Sequence, residues 1–442
     1  DLKGIGEKLP YLKSLGVTCL YLNPIFEAHS NHRYNTADYS RIDPLLGAEE
    51  DFRLLCQKAG ELGIRVLLDG VFSHTGSDSV YFNREGRYPG PGAYQSQESP
   101  YFPWYTFQKW PNRYESWWGF LTLPNVKETD PAYNRYINGP GGIVRGWLEK
   151  GASGWRLDVA DELPDDFLDN LRRAAKEQDP EALVLGEVWE DASTKSAYGK
   201  RRRYLLGRQL DSVMNYPFRD AVLGFLTGAD PGETMDRILQ IVENYPPQVL
   251  RLLMNHIGTH DTERALTVLG GEPVGNRGRE WQSRTFLSPE QRRRGMQLLK
   301  LAAVLQFTLP GVPCIYYGDE AGMEGYKDPF NRRGYPWGGE EKDLVEWYRR
   351  LGAMRARCRC LREGGMEPMA VDGSLLSYYR FDGEDSLFCA VNRGDAPRIL
   401  YLPQEWRRAE ALFGTAAAED GGVFLPPLGC AVLHLQPPAP EP

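Results

Sequence analysis

The sequence predicts an α/β fold: a (β/α)8 TIM barrel with an inserted segment and a C-terminal antiparallel β-sandwich. Three observations predict it. Continuous apolar runs, typical of strands buried on both faces of a parallel sheet, alternate with helical segments. Acidic residues close several of these runs, as they do where strand ends meet at one mouth of a barrel. From residue 361 the pattern changes to short alternating segments separated by turns.

Seven apolar runs predict strands, and seven segments between them predict helices. The strands are expected at 17–22, 64–69, 152–158, 182–187, 210–215, 250–257 and 312–317. The helices are expected at 4–15, 48–62, 132–150, 164–179, 232–244, 289–308 and 341–357. The β–α order alone leaves a doubly wound sheet open, but Asp69, Asp158 and Glu187 at strand ends favour the barrel. Because closure needs eight strands, we expect the first strand to lie upstream of residue 1.

The chain divides into four predicted parts. Residues 1–74 and 126–360 form the barrel, and 75–125 an inserted domain that is too long and too aromatic for a plain connection. Residues 361–435 form the β-sandwich. The Pro-rich end, 436–442, is expected to be a disordered tail.

Composition excludes some functions. The 442 residues carry a net charge of −8, which argues against a nucleic-acid partner bound through its phosphates. No apolar run reaches the roughly 18 residues of a membrane span, so we expect no membrane partner. The seven cysteines are scattered without zinc-site spacing, which favours a reducing, cytoplasmic location, or an extracellular one if a signal peptide lies upstream.

Three carboxylates suit the cleavage of an acetal bond: Asp158 in GWRLDVADE, Glu187 in VLGEVWED and Asp261 in NHIGTHDTER. That reaction needs one carboxyl acid to protonate the leaving oxygen and a carboxylate to trap the oxocarbenium centre. Arg156 lies two residues before Asp158 and so on the same side of the strand, where it would keep the aspartate ionised. Each carboxylate alone is typical of an ordinary surface; three at strand ends indicate a site.

Five segments carry a family resemblance: DGVFSH (69–74), GWRLDVADE (154–162), LGEVWED (185–191), IGTHDTER (257–264) and GVPCIYYGDE (311–320). Their order resembles the signature regions of the α-amylase superfamily, glycoside hydrolase family 13, over about residues 1–360. The resemblance implies a catalytic (β/α)8 barrel, a domain B inserted after the third strand, and a C-terminal β-sandwich.

The resemblance also implies roles. Asp158 would be the nucleophile, Glu187 the acid/base and Asp261 the transition-state stabiliser. The expected substrate-binding residues are Tyr34, Asp69, His74, Arg156, Glu162, Trp189, His260, Asp328 and Arg332. In the inserted segment, Trp104, Trp110, Trp117 and Trp118 serve either as glucan platforms or as a small hydrophobic core.

Glu162, together with SNHRYNTADY and VMNYPF, looks like the neopullulanase, cyclomaltodextrinase and maltogenic amylase branch. Such enzymes dimerise through an extra N-terminal domain, so we expect a homodimer formed through an upstream part. Ser73 replaces an Asn that binds calcium in many members, while Asp1 matches the tail of another calcium loop. We therefore expect no cofactor for catalysis and leave a structural calcium at Asp1 open.

The expected function is a retaining α-glucan hydrolase that cleaves α-1,4 bonds, with some α-1,6 bonds, in starch-derived oligosaccharides, cyclodextrins or pullulan. A dedicated α-glucan transglycosylase of the same family is the first alternative. A non-catalytic glucan-binding relative is the second, although such a protein is expected to have lost its acids.

Overall fold

The computed structural model describes residues 1–383, 385–414 and 422–435, and its chain forms two compact units, Asp1–Val213 and Met214–Pro442. The predicted tail at 436–442 lies outside the described residues. Within the described ranges, no helix combines the length and the apolar character needed to cross a bilayer.

Unit 1, Asp1–Val213, is built around a five-stranded parallel sheet. Its helices are α1 (Leu2–Ser14), α2 (Glu49–Glu61), α3 (Pro131–Asn138), α4 (Ile143–Glu149) and α5 (Asp165–Gln178). Its strands are β1 (Cys19–Tyr21), β2 (Phe26–Ala28), β3 (Thr36–Ile42), β4 (Arg65–Gly70), β5 (Phe107–Lys109), β6 (Arg113–Tyr114), β7 (Gly154–Leu157), β8 (Leu183–Gly186), β9 (Ser196–Ala197), β10 (Lys200–Arg201) and β11 (Ser212–Val213). The sheet order is β1-β4-β7-β8-β11, so each strand lies beside the next in the chain, as in a barrel wall.

Close approach of β7 and β8 depends on a glycine. Gly154 has φ +150°, and a Cβ atom there would lie 2.2 Å from the carbonyl oxygen of Leu183. Only a residue without a side chain fits this start of β7. The contact sets the register in which Gly154 pairs with Leu183 and Arg156 with Leu185.

The single helix predicted at 132–150 is wrong, because the chain forms α3 and α4 with a break between them. The break contains Gly139, Pro140 and Gly141, and Gly141 has φ +69°. Proline lacks the backbone N–H that a helix interior needs, and the left-handed glycine turns the chain out of the helix. Asp130 caps the start of α3 by accepting hydrogen bonds from two backbone N–H groups.

Unit 2, Met214–Pro442, contains eight helices and nine strands among its described residues. The helices are α6 (Tyr216–Thr227), α7 (Pro231–Asn244), α8 (Pro247–Leu250), α9 (Ala265–Gly270), α10 (Arg279–Arg284), α11 (Pro289–Thr308), α12 (Lys342–Arg357) and α13 (Cys360–Glu363). The strands are β12 (Met254–His256), β13 (Val312–Cys314), β14 (Gly365–Asp372), β15 (Leu375–Phe381), β16 (Ser386–Asn392), β17 (Arg398–Tyr401), β18 (Glu410–Gly414), β19 (Gly422–Leu425) and β20 (Gly429–Leu435). With β12 and β13, which pair in parallel, all seven predicted parallel strands are present.

The C-terminal strands form the predicted antiparallel domain. A five-stranded sheet runs in the order β14-β15-β16-β20-β18, and β17 pairs with β19 in a second, two-stranded sheet. Side chains from both sheets, including Phe388 of β16 and Leu425 of β19, share one buried cluster with Trp406. Inward-facing apolar residues of two sheets that meet in this way make a β-sandwich core.

Candidate active site

Unit 1 places four predicted site residues at the carboxyl ends of neighbouring strands. Asp69 lies near the end of β4 and pairs in register with Arg156 of β7. Asp158 follows β7 directly, and Glu187 follows β8 directly. Because β4, β7 and β8 are adjacent and parallel, their ends lie at one edge of the sheet, where these side chains meet.

Arg156 is the centre of this group. Its Nη1 atom lies 2.8 and 3.0 Å from the two carboxylate oxygens of Asp69 and 2.9 Å from Oδ1 of Asp158. Its Nη2 atom lies 2.8 Å from Oε2 of Glu187. All four side chains are buried. One planar guanidinium thus holds Asp158 and Glu187 as near neighbours, which a retaining mechanism requires of its two carboxyl groups.

Three carboxyl groups share this single cation. Burial raises the pKa of Asp158 well above its ordinary value, although Arg156 lowers it. Burial likewise raises the pKa of Asp69 despite its contact with Arg156. Arg156 therefore does lower the pKa of Asp158, as expected, but desolvation and the neighbouring carboxylates together raise this pKa by more. Burial therefore favours the neutral form of Asp158 and of Asp69.

Glu187 is held on both of its oxygens. The backbone N–H of Val159 donates to Oε2 at 2.8 Å, and the indole N–H of Trp189 donates to Oε1 at 3.0 Å. Val159 has φ +39° and ψ +67°, a left-handed conformation that a β-branched residue rarely adopts. This strained turn directly after Asp158 points the N–H of Val159 at Glu187.

Two tyrosines and His74 complete the wall around Asp69. The hydroxyls of Tyr21 and Tyr34 donate to Oδ2 of Asp69 at 2.7 and 2.9 Å. Nε2 of His74 lies 3.0 Å from the backbone carbonyl oxygen of Tyr34, and Nδ1 lies 3.0 Å from the Ser73 hydroxyl. Burial lowers the pKa of His74 to about 4, so its ring is neutral at pH 7. A neutral ring that donates to the Tyr34 carbonyl accepts from Ser73 at its other nitrogen.

The inserted segment contains both kinds of tryptophan that the sequence leaves open. Trp104 is buried in an aromatic cluster and belongs to the core of the segment. Trp117 and Trp118 stack on each other with centroids 4.9 Å apart, and Trp118 is 75% exposed. The centroid of Trp117 also lies 5.6 Å from that of His74, so this aromatic pair adjoins the site.

Glu162 lies in a short helical turn after β7, where its Oε2 accepts a hydrogen bond of 2.6 Å from the Tyr198 hydroxyl. Nearby Glu128 is a partly buried carboxyl group, and desolvation raises its pKa to about 8. Glu162 adds to that rise through its negative charge. In the structure, the Glu162 carboxylate is therefore hydrogen-bonded within the protein, in the turn that follows Asp158.

Unit 2 brings together the other predicted site residues. Oδ2 of Asp261 lies 3.2 Å from Nε2 of His260, and its Oδ1 lies 3.6 Å from Nη2 of Arg332. Nε of Arg332 also lies 2.9 Å from Oδ1 of Asp328 and donates to the carbonyl oxygen of His260 at 3.0 Å. The four residues thus form one polar group in the two loops after β12 and β13.

Asn331 holds the loop that carries Asp261. Its buried side-chain amide donates to the carbonyl oxygens of His260 and Thr262, both at 2.7 Å, and to that of Thr259 at 3.4 Å. The Thr259 hydroxyl in turn accepts from the N–H of Asp261 at 3.2 Å. This single amide therefore fixes the backbone around Asp261, in the manner of a supporting residue.

Asp1 caps helix α1 by accepting a 2.6 Å hydrogen bond from the N–H of Gly4. Calcium takes six to eight oxygen ligands. Of the residues described, only Cys358, Asp385 and His434 bring three candidate ligand atoms close together, and Asp1 is not one of them. Asp1 alone does not fit a calcium site, and the structural calcium stays a prediction.

Three contributors are absent from the sequence-based site: Tyr21, Val159 and Asn331. Tyr21 is the last but one residue of the first predicted apolar run, so the strand-end rule that found Asp69 applies to it as well. Val159 is an apolar residue whose role depends on its backbone N–H. Asn331 acts on a loop 70 residues away in the chain, and neither role leaves a local signal.

Parallel strands whose C-terminal ends carry a buried cluster of carboxyl groups are typical of one class of proteins. This class is the (β/α)8-barrel proteins with a site built from paired carboxyl groups. Comparison with known families gives a narrower answer. The chain belongs to the alpha-amylase family, since the family described as "Alpha amylase, catalytic domain" matches residues 1–371. The predicted resemblance and fold class are confirmed.

The relatives include members of the predicted branch. The chain is 40% identical to an amylopullulanase of Thermoanaerobacter thermohydrosulfuricus, over 96% of this chain and 31% of that protein. It is 35% identical to a cyclomaltodextrinase of Geobacillus thermopakistaniensis (strain MAS1), over 97% of this chain and 69% of that protein. The solved type III pullulan hydrolase from Thermococcus kodakarensis superposes with a TM-score of 0.83 at 32% identity, covering 98% of this chain and 71% of that one. The chain spans a third or less of the amylopullulanases that it matches.

Proposed function

We propose that this chain is a retaining α-glucan hydrolase that cleaves α-1,4 bonds and some α-1,6 bonds in starch-derived oligosaccharides, cyclodextrins or pullulan. The observation that carries the proposal is the pair of buried carboxyl groups, Asp158 and Glu187, held on one guanidinium. Two such carboxyls are the machinery of a double displacement at an anomeric carbon.

In the first step, Glu187 donates its proton to the glycosidic oxygen while the carboxylate of Asp158 attacks the anomeric carbon. The bond between the anomeric carbon and the glycosidic oxygen breaks, and the leaving sugar departs with the proton as a hydroxyl. The product is a glycosyl ester on Asp158. Oε1 of Glu187 accepts a hydrogen bond from Trp189, whose side chain is 46% exposed. We therefore expect Oε1, on the exposed side, to be the atom that meets the glycosidic oxygen.

In the second step, the ionised Glu187 removes a proton from a water molecule, and the water oxygen attacks the anomeric carbon. The ester bond breaks, Asp158 regains its charge, and the configuration is retained over the two inversions. Arg156 stays charged throughout and balances whichever carboxyl is ionised. Neither step needs a metal ion.

The other predicted residues bind the sugar on either side of the bond. We assign Asp261, with His260 and Arg332, to the hydroxyls of the sugar that reacts, and Asp328 to the support of Arg332. Tyr34 gives an aromatic face and Asp69 orients it, while the neutral His74 fixes the backbone of Tyr34. Trp189 and Glu162 lie after the catalytic strands and are assigned to the leaving-group side.

Transglycosylation is the second candidate function, and the exposed ring of Trp189 beside Glu187 favours it. An aromatic face next to the acid/base lets an acceptor sugar stack where water otherwise attacks. We expect this reaction as a side activity. A purely glucan-binding role is disfavoured, because the buried acidic cluster costs stability and binding alone does not require it.

The test is digestion of β-cyclodextrin, soluble starch and pullulan by the full chain, with product analysis in the presence and absence of added glucose. Glu187→Gln is expected to lose at least a thousandfold in kcat, while Glu190→Gln, an exposed neighbour, keeps it. Release of α-anomeric products would support retention. Activity that survives in Glu187→Gln, or β-anomeric products, would overturn the assignment.

A further inference from the structure

A second group of reactive side chains lies in unit 2, away from the residues assigned to catalysis. Cys358 follows the last residue of α12, and Cys360 begins α13. Asp385 precedes β16, and His434 lies near the end of β20. Cys358, Asp385 and His434 thus meet where the end of α12 approaches the C-terminal sheet, and Cys360 contacts Asp385.

The spacing of this group is compatible with a metal site. Candidate ligand atoms of Cys358, Asp385 and His434 all lie within 4.8 Å of one another. Nε2 of His434 and Oδ2 of Asp385 are 3.2 Å apart. Two ligands bound to one tetrahedral zinc at about 2.0–2.1 Å are themselves about 3.3 Å apart, so this edge already has the required length.

The surroundings hold the ligands in place. Cys358 and His434 are buried, and Asp385 is nearly so, with 13% of its side chain exposed. The N–H of Cys360 donates to Oδ1 of Asp385 at 3.1 Å, and its thiol also interacts with that carboxylate. A second sulfur atom therefore lies beside Asp385, outside the group of three mutually close ligand atoms.

The types of ligand atom in this group indicate which metal it would bind. Thiolate and imidazole ligands favour zinc over calcium or magnesium, which prefer oxygen. We propose that Cys358, Asp385 and His434 bind one Zn²⁺, with the thiolate of Cys360 in the fourth position. The ion ties the end of α12 to strands β16 and β20 of the sandwich and acts as a structural staple.

The charges around the group are compatible with this ion. Two thiolates, one carboxylate and Zn²⁺ sum to −1, and Arg357 lies 3.5 Å from Nδ1 of His434. The Arg357 guanidinium can only donate, so in this contact Nδ1 accepts. With zinc on Nε2, Nδ1 instead carries a proton, so the contact with Arg357 must be replaced by one to an acceptor. Glu410, which faces His434 across β18 and β20 and already pairs with Arg357, is the acceptor that we expect.

Without the ion, burial raises the pKa of the Cys358 thiol to about 11, so it is protonated at neutral pH. Zinc binding therefore releases protons, one from each thiol that becomes a thiolate. Neither thiol is needed by the hydrolase mechanism, so metal loading and glycosidic cleavage can be measured separately.

The test uses the full chain, reduced and stripped with a chelator, and titrated with Zn²⁺ and separately with Co²⁺. We expect one equivalent of zinc per chain, a rise in Tm that the chelator reverses, and a thiolate-to-cobalt charge-transfer band. Cys358→Ser and His434→Gln should each weaken binding at least tenfold and remove or alter the band. Cys430→Ser, a buried cysteine on the same strand as His434, is the matched control and should keep both.

A wild-type chain that retains far less than one equivalent, or a band that persists unchanged in both ligand variants, would overturn the proposal. If the variants do not fold, alkylation of the wild-type chain decides. Zinc should slow modification of Cys358 and leave that of Cys430 unchanged, as mapped on peptides by mass. Equal rates with and without zinc at Cys358 would refute the site.

Discussion

Replacement of the proposed nucleophile by its amide, Asp158→Asn, should abolish activity and stabilise the fold. The ordinary pKa of an aspartate is about 3.9, and burial raises that of Asp158. The folded state therefore binds this proton more tightly than the unfolded state does. Ionisation of Asp158 then opposes folding above about pH 3.9, and the penalty grows until the pH passes the folded pKa.

The contact with Arg156, which lowers the pKa of Asp158, is already included in the direction of the shift. We therefore expect Asp158→Asn to be more stable than wild type at pH 7 and to unfold at a higher Tm.

Thermal unfolding followed by calorimetry from pH 4 to pH 7 measures this effect. The Tm difference between Asp158→Asn and wild type should be close to zero at pH 4 and widen towards pH 7. Asp220→Asn, an exposed aspartate, serves as the control and should show no such trend. A variant that is less stable than wild type at pH 7 would refute the idea that burial outweighs the attraction of Arg156.

Further substitutions test the supporting residues. Val159→Gly should keep the N–H bond to Glu187. It should change the free energy of unfolding by less than about 1 kcal/mol, because relief of the positive φ offsets the added chain entropy of glycine. Val159→Pro removes that N–H and cannot adopt the positive φ, so it should lower kcat for β-cyclodextrin at least about tenfold. Trp189→Ala should raise KM for maltooligosaccharides about tenfold through lost stacking, and Trp189→Phe should restore it. Asn331→Ala should cost about 1–3 kcal/mol in thermal unfolding, because buried carbonyls around Asp261 lose their donor.

The fold was largely predictable because its signals are local. Buried parallel strands read as apolar runs, and all seven appear within the predicted ranges or overlap them. The helices that the sequence did not predict lack such a local signal. Helix α6, YPFRDAVLGFLT, has seven buried residues among twelve and so lacks the polar face that marks an amphipathic helix. The break between α3 and α4 was signalled by Gly139 and Pro140, but the periodic apolar pattern continues across it.

The residues of the candidate site were predictable from the sequence, but the contacts between their side chains were not. Strand-end position predicted Asp69, Asp158 and Glu187, because parallel strands deliver their carboxyl ends to one edge. That Arg156 contacts all three depends on the reach of one side chain between neighbouring strands. The same sequence pattern is compatible with a guanidinium that serves Asp158 alone, as its spacing of two residues suggests.

The number of cations in this cluster has a chemical reason. A fully compensated cluster would be more stable, yet in the proposed reaction positive charge develops on the sugar ring as the glycosidic bond breaks. One guanidinium against three carboxyl groups leaves little positive charge in the site to oppose the cationic sugar ring at that moment. The fold carries the resulting desolvation cost at the strand ends, where the bonds from Tyr21 and Tyr34 to Asp69 hold the charges in place. Stability lost through Asp158 and catalytic power gained from it are therefore two consequences of the same electrostatic arrangement, which is why a single substitution to the amide should reverse both.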